Sequence, residues 1–275
     1  MTNIETQYRR LLTKLLDAPH KPDRTGVGTK SIFGVTLEHD MSAGFPLLLS
    51  KKVSFKSALG ELLWILHGRN DMQFLHDHGI KYWDADYERS GRTDGTLGPV
   101  YGKQWRYFNG VDQLFELVKN ISLDPYSRRH IVSAWNPPQL PDMALPPCHY
   151  GFQVNINDGK LDLMWQQRSA DVFLGLPYDI AMYGLLLQML AHGSGYKPGK
   201  LIAQLGDCHI YNNHYEQAVE MLQRTVTEPL PVVMIEGTGL CAFTDGRVLI
   251  PTVDEVHIAN YNPHPPIKAP LNVGK

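Results

Sequence analysis

The stretch "FQVNINDGKLDLMWQ", residues 152–166, constrains the fold more than any other part of the chain. Phe152, Val154 and Ile156 alternate with polar residues, and Leu161, Leu163 and Trp165 resume the alternation after Asp158-Gly159. A period of two on both sides of a dipeptide that accepts positive φ predicts an antiparallel β-hairpin. Its apolar face then needs a cover, and four helical patterns offer one. Near the N-terminus Thr2 and Glu5 have capping-box spacing, Ile4, Tyr8, Leu11, Leu12 and Leu15 form a stripe, and Pro19 follows. "GVDQLFELVKNI" is amphipathic, and "SALGELLWILHG" is mostly apolar apart from Glu61. "LPYDIAMYGLLLQMLAHG" is apolar almost throughout and predicts a buried helix from Pro177 to Gly193. "RHIVSAWN" reads as a further strand. Strands and helices mix without a regular β-α alternation. The expected class is therefore α+β, with a largely antiparallel or mixed sheet. The 24 glycines and 19 prolines are dispersed, and no linker or repeat interrupts the 275 residues, so a single domain over 1–275 is expected.

Composition excludes several classes of function. A net charge of −2 provides no overall attraction to nucleic acid or acidic membrane, so any anion site must be a local cluster. No apolar run reaches membrane-spanning length, and "MTNIETQYRRLL" lacks a signal-peptide core. Three cysteines, Cys148, Cys208 and Cys241, suggest no disulfide framework and a reducing, cytoplasmic setting.

Chemistry-bearing residues concentrate around the hairpin. Cys148 follows two prolines, and taken alone it reads as a small buried hydrophobe. A cationic neighbour would favour its thiolate, and Arg168 lies across the hairpin. Arg24 sits in the Gly-rich "DRTGVGTKS", Arg128 and Arg129 are adjacent in "DPYSRRH", and Ser169 follows Arg168. Singly these are solvated arginines; together they suit a bidentate phosphate clamp. Glu61 is conspicuous because a buried carboxylate is costly without partners. Asp179, near a helix start after Pro177, reads on its own as a cap.

"DRTGVGTKSIFG", "ELLWILHG", "LGPVYGKQWR", "DPYSRRHIVSAWNP", "ALPPCH", "QRSADVFLGLPYDIAMY", "GDCHIYNNH" and "YNPHPPIKAP" follow one another in the order of a known family. Through these motifs the chain resembles the thymidylate synthases over nearly its full length. The resemblance implies a homodimer of α+β subunits joined through a twisted sheet. It also implies one-carbon transfer from 5,10-methylenetetrahydrofolate to C5 of a pyrimidine nucleoside monophosphate, without a metal. Cys148 would then add to C6, turning the ring into an enamine or enolate able to attack the folate-derived carbon. Arg24, Arg168 and Ser169 would hold the phosphate, with Arg128 and Arg129 supplied by the other subunit. Glu61 would order a water network, and Tyr101 would help remove the C5 proton. His209 and Tyr211 would hold the sugar 3′-hydroxyl, and His149 would reach water near pyrimidine position 4. Gln167 falls among the substrate-binding residues, and Trp83, Asp171 and Lys51 toward the folate.

In two places the sequence departs from the thymidylate-forming pattern. That pattern has Asn where "PYDIA" has Asp179. An amide offers a donor and an acceptor, matching uracil N3-H and O4. An ionised carboxylate only accepts, which suits the 4-amino group of cytosine, with a proton shared at N3. Mispairing buried polar groups can discriminate on the order of 10⁴-fold. Within the family, Asp here marks deoxycytidylate hydroxymethylases, so a cytidylate substrate (dCMP or CMP) and a 5-hydroxymethyl product are expected. No residue identifies a reader of the sugar 2′ position. The second departure is the C-terminal "LNVGK", which runs past the usual family terminus. An altered end is expected to change closure, and closure controls water at the reactive intermediate. Methylation of dCMP or dUMP, and a silent nucleotide-binding relative, are the competing readings. The intact Cys148, Arg168, Glu61 and Tyr101 set argues against the silent one.

Overall fold

The computed structural model describes residues 3–273. The chain opens with α1 (Ile4–Leu16), β1 (His20–Lys21) and β2 (Thr29–Asp40). Five helices follow: α2 (Phe55–Leu66), α3 (Met72–Asp77), α4 (Asp84–Arg89), α5 (Tyr101–Tyr107) and α6 (Gln113–Leu123). Next come β3 (Ile131–Ser133), β4 (His149–Asn157), β5 (Lys160–Asp171), α7 (Leu176–Ser194), β6 (Lys197–Tyr211) and α8 (Tyr215–Gln223). Four short strands complete it: β7 (Val232–Ile235), β8 (Cys241–Ala242), β9 (Val248–Leu249) and β10 (Val256–Ala259). The main sheet has the order β1-β2-β6-β5-β4-β3. The β5–β6 pair is parallel and the other pairs are antiparallel. The expected α+β class with a mixed sheet is therefore observed.

The hairpin turns at Asp158 and Gly159, whose φ values of 50° and 69° fit the tight turn that the dipeptide predicts. Phe152, Val154, Leu161, Leu163 and Trp165 are all buried. The cover is α7, which packs on β5 and β6 and against α2. Its apolar residues surround it because it lies inside the molecule.

Several element ends differ from expectation. Thr2 lies outside the described residues. Asn3 caps α1 by accepting from Thr6 N–H at 2.9 Å, while Glu5 turns inward and accepts from Leu49 N–H at 2.8 Å. Gly193 does not end α7. Gly195 does, at φ 74°, whereas Gly193 lies inside the last turn, where an added Cβ would fall 2.1 Å from the Leu240 carbonyl oxygen. The strand in "RHIVSAWN" is only three residues long, because Pro137 begins a 3₁₀ turn.

β6, the longest strand, and β2 are bent in their middle. In β6, Leu201, Ala203 and Leu205 point into the core before Gly206, and Cys208 and Ile210 do so after it. In β5 the buried set changes from Trp165 and Gln167 to Ala170. The pairing skips Gly206 against both Gly34 and Arg168, and β4 has an irregularity between His149 and Gly151. The skipped pairs leave the register of β6 with both neighbours unchanged, whereas the register shift in β4 re-aims the residues beyond it. Gly206 makes the bend possible, since a Cβ there would lie 2.8 Å from the Arg168 carbonyl. Because β5 and β6 are parallel and β2 and β4 run opposite to them, residues 168–171, 207–211, 148–149 and the segment entering β2 gather at one sheet end. The sheet face away from α7 carries exposed Phe33 and Ile131.

Candidate active site

Cys148 is half-buried at that sheet end. Its backbone N–H donates to the Tyr101 hydroxyl at 2.9 Å, and its carbonyl accepts from Arg168 N–H at 2.8 Å. Arg168 Nη2 stands 4.0 Å from Sγ, with Nε donating to the Pro147 carbonyl at 2.9 Å and Nη2 to that of Pro146 at 2.8 Å. The two prolines thus place their carbonyls where they anchor the guanidinium beside the sulfur. Burial nevertheless dominates, pushing the thiol up to about 11. Arg168 and Arg24 pull it down, while Asp179 and Asp86 add to the rise. The expectation that cationic neighbours lower the thiol is met in direction and outweighed in sum.

A layer of rings and carboxyls faces the sulfur. Tyr101 stacks on His149 with centroids 4.3 Å apart, and Trp83 meets the Tyr101 ring edge-on at 6.0 Å. His149 Nδ1 is 2.9 Å from the Tyr183 hydroxyl, and burial drives its pKa down to about 3, so the imidazole stays neutral. Glu61, the acid inside the apolar helix, accepts from the Tyr82 hydroxyl at 2.6 Å and from Trp83 Nε1 at 2.7 Å. Burial raises its pKa, and both hydrogen bonds oppose the rise. Its two partners resolve the cost that made it conspicuous.

Asp179 occupies the first turn of α7 but makes no cap: the helix starts at Leu176, and no side chain caps its backbone. Its Oδ2 accepts from Gln167 Nε2 at 2.8 Å. Burial pushes its pKa up to about 7. Gln167 opposes that rise, and Glu61 and Asp171 add to it. The cap reading is overturned by this placement, because the side chain points across to β5 and not back to the helix N–H groups.

His209 Nδ1 lies 3.1 Å from Asp207, which also binds Lys21 and Ser31. Tyr211 packs edge-on against His209. Asp171 Oδ1 accepts from the N–H groups of Phe173 and Leu174 at 3.0 and 3.1 Å. Lys51 is buried, donates to the Phe173 carbonyl, and is brought down to about 8 by burial, with Asp171 opposing. Arg24 and Ser169 stand at the same sheet end, Arg24 exposed in the loop before β2.

Arg128 and Arg129 are exposed on the approach to edge strand β3. Ile131 pairs with Gln153, so Arg129 falls level with residue 155, roughly 20–25 Å from Cys148 at a strand's rise per residue. That is farther than an arginine side chain reaches, so within one chain they do not join the site. Trp165, Tyr183, Tyr82 and Asp86 are site neighbours that sequence reasoning missed. Tyr183 carried a signal, lying one helical turn beyond Asp179. Tyr82 and Asp86 carried none, since only the folded chain brings them to Glu61 and Cys148.

The profile of the thymidylate synthases matches residues 6–273. The chain belongs to the thymidylate synthase family. A protein of Escherichia phage T5 described as "Probable thymidylate synthase" is 46% identical over 281 residues, covering 97% of this chain and 99% of its own length. Like other thymidylate synthase family members, this chain is a transferase that takes a one-carbon unit from methylenetetrahydrofolate, and the family binds a pyrimidine nucleotide and folate. Among the described residues, no cluster of His, Cys, Asp and Glu is arranged to hold a metal, and no helix is long and apolar enough to cross a membrane.

Proposed function

We propose that this family member hydroxymethylates C5 of a cytidine monophosphate, dCMP or CMP. The observation that carries the reading is Asp179, which does not cap its helix and is anchored to Gln167 among the rings around Cys148. An ionised carboxylate offers only acceptors, and the 4-amino group of cytosine supplies a donor.

In this reading the Cys148 thiolate bonds to C6 and the displaced electron pair makes C5 nucleophilic. Arg168 stabilises the thiolate and, with Arg24 and Ser169, holds the phosphate. The folate supplies the one-carbon unit, to which C5 bonds. Tyr101, whose hydroxyl touches the Cys148 backbone, belongs to the network that accepts the C5 proton. Release of the folate nitrogen leaves an exocyclic methylene. Water adds its hydroxyl there, a proton is lost, and elimination of Cys148 restores the ring. Trp83, Lys51 and Asp171 line the folate side, His209 and Tyr211 the sugar, and His149 the water near position 4. Arg128 and Arg129 complete the phosphate clamp from a second subunit, which docks on the open sheet face carrying Phe33 and Ile131. Asn272 in the C-terminal segment pairs with Asn213 at 3.0 Å, near His214, and so ties the tail to the end of β6. Gly274 and Lys275 lie outside the described residues.

The second reading is thymidylate synthesis from dUMP, favoured by the description of the phage T5 relative as a probable thymidylate synthase. Supplying dCMP, CMP and dUMP separately with methylenetetrahydrofolate decides between them. Hydroxymethylation leaves tetrahydrofolate, whereas methylation by hydride produces dihydrofolate with its own absorbance band. A 5-hydroxymethylated cytidylate without dihydrofolate is expected. Turnover of dUMP alone, with dihydrofolate formed, overturns the proposal.

A further inference from the structure

Gln167 is the last inward residue of β5 before the bend, and it is buried. Both ends of its amide are engaged inside the protein. Oε1 accepts from Trp165 Nε1 at 3.1 Å. Nε2 donates to the Ser169 carbonyl at 3.0 Å and to Asp179 Oδ2 at 2.8 Å. An indole N–H can only donate. Turning the amide over would set donor against donor at Trp165 and oxygen against oxygen at Asp179. Trp165 is itself fixed, 1% exposed and stacked on Tyr183 with centroids 5.0 Å apart and planes 8° from parallel.

We propose that Gln167, oriented by Trp165, is a positioning residue that ties one oxygen of Asp179 to the protein and presents only the other to the pyrimidine, so that a proton on that free oxygen decides which base is accepted. The inference rests on the reading that Asp179 meets the base edge. Without the proton, Oδ1 accepts from the 4-amino group of cytosine, and with Oδ2 tied to Gln167 this single contact replaces the proton shared at N3 that the base edge alone suggests. With it, the O–H donates to O4 of uracil. One proton passes between solvent and Asp179, and nothing is oxidised or reduced.

The surroundings suit such a switch. Glu61 on α2 and Asp171 at the end of β5 disfavour the anion, and Gln167 favours it. Tyr82, Tyr101, Tyr183 and Cys148, which also face Asp179, are all raised by burial and stay neutral near pH 7. His149, bonded to Tyr183, is held neutral from the other direction. Burial leads the balance at Asp179 and brings it to about 7, where a small change in its partners alters its charge.

The test is calorimetric binding of dCMP and dUMP to the full chain across about pH 5 to 9, in buffers of different ionisation enthalpy. If both bases bind through the same free oxygen, dUMP takes up close to one proton more than dCMP, and the dCMP:dUMP affinity ratio rises toward tenfold per pH unit. The phosphate and thiol affect both nucleotides alike and cancel in the ratio. Gln167→Met keeps the bulk and removes the donor, so it should lower that ratio about tenfold at each pH. Trp165→Phe, which frees the amide, should shift it in the same direction if the Met variant does not fold. Asp179→Asn should abolish both the proton difference and the pH dependence. An Asn variant that leaves the affinity ratio unchanged would sink the base-reading role itself. A clear effect of Asn, combined with no proton difference in the parent or an unaltered ratio in both the Met and Phe variants, would overturn the proton-set selection and the Gln167 lock alone.

Discussion

Arg168 Nη2 sits 4.0 Å from Cys148 Sγ, yet the thiol remains protonated until about pH 11. One cation at the edge of contact does not offset the loss of water around the sulfur. The Arg168 guanidinium also carries two proline carbonyls, which divides its field.

Alkylation should report this directly. The iodoacetamide rate at Cys148, followed by mass spectrometry, should climb about tenfold per pH unit from neutrality to about pH 10, because only thiolate reacts. A plateau already reached near pH 8 would show a thiol that Arg168 has activated.

Cys148→Ala should remove turnover and leave nucleotide binding within a few-fold, since the sulfur acts in bond formation while the arginines hold the phosphate. Steady-state turnover and a calorimetric Kd for the nucleotide check the two halves of that expectation.

If the clamp crosses between subunits, Arg128→Ala/Arg129→Ala protein mixed with Cys148→Ala protein should regain activity. Each heterodimer would hold one site with both defects and one with neither. Subunit exchange demonstrated by mass, with no recovered turnover, would place the two arginines outside the site.

Asp179→Asn should stabilise the folded protein above neutral pH. The folded carboxyl titrates near 7, well above its ordinary unfolded value, so the fold binds more protons than the unfolded chain between those limits. Stability contributed by the acid is complete below the unfolded pKa and is lost as pH rises through about 7. The gain from Asn, on the order of 1–3 kcal/mol, should therefore appear in denaturant melts at pH 8 and shrink at about pH 5. Equal gains at both pH values would contradict the buried, titrating acid.

Gly206→Ala should cost on the order of 2–4 kcal/mol, because the new methyl meets backbone at Arg168 and not a yielding side chain. Activity of the surviving folded fraction should fall too, since the same contact sets the direction of Arg168. Melting curves and specific activity together check this.

The hairpin and α6 were legible because each has one period and one buried side, and α2 and α7 because each is a long, mostly apolar run that suits a buried helix. β6 and β2 were not, although β6 is the longest strand and β2 is as long as β5. Their alternation reverses at Gly206 and near Gly34, so neither half shows a sustained period of two. At the site, Cys148, Arg168 and Glu61 could be singled out from residue type and neighbours. The role of Gln167 could not, because a glutamine's value depends on what lies at both ends of its amide, and Trp165 and Asp179 meet it only in the folded chain. Arg128 and Arg129 were visible as a pair, but their distance from Cys148 depends on the register of β3 against β4.

The bend shared by β2, β4, β5 and β6 also governs which sequence changes this chain can absorb. Each strand keeps one inward parity on the core side of the crease and the opposite parity on the site side. Losing one residue on either side would swap core and solvent positions for half a strand, and with them the aim of Arg168 or His209. Gaining or losing residues at Asp158–Gly159, at the far end of the sheet, leaves both parities alone. Length variation is therefore expected to collect at that turn, and substitutions that preserve length at the crease.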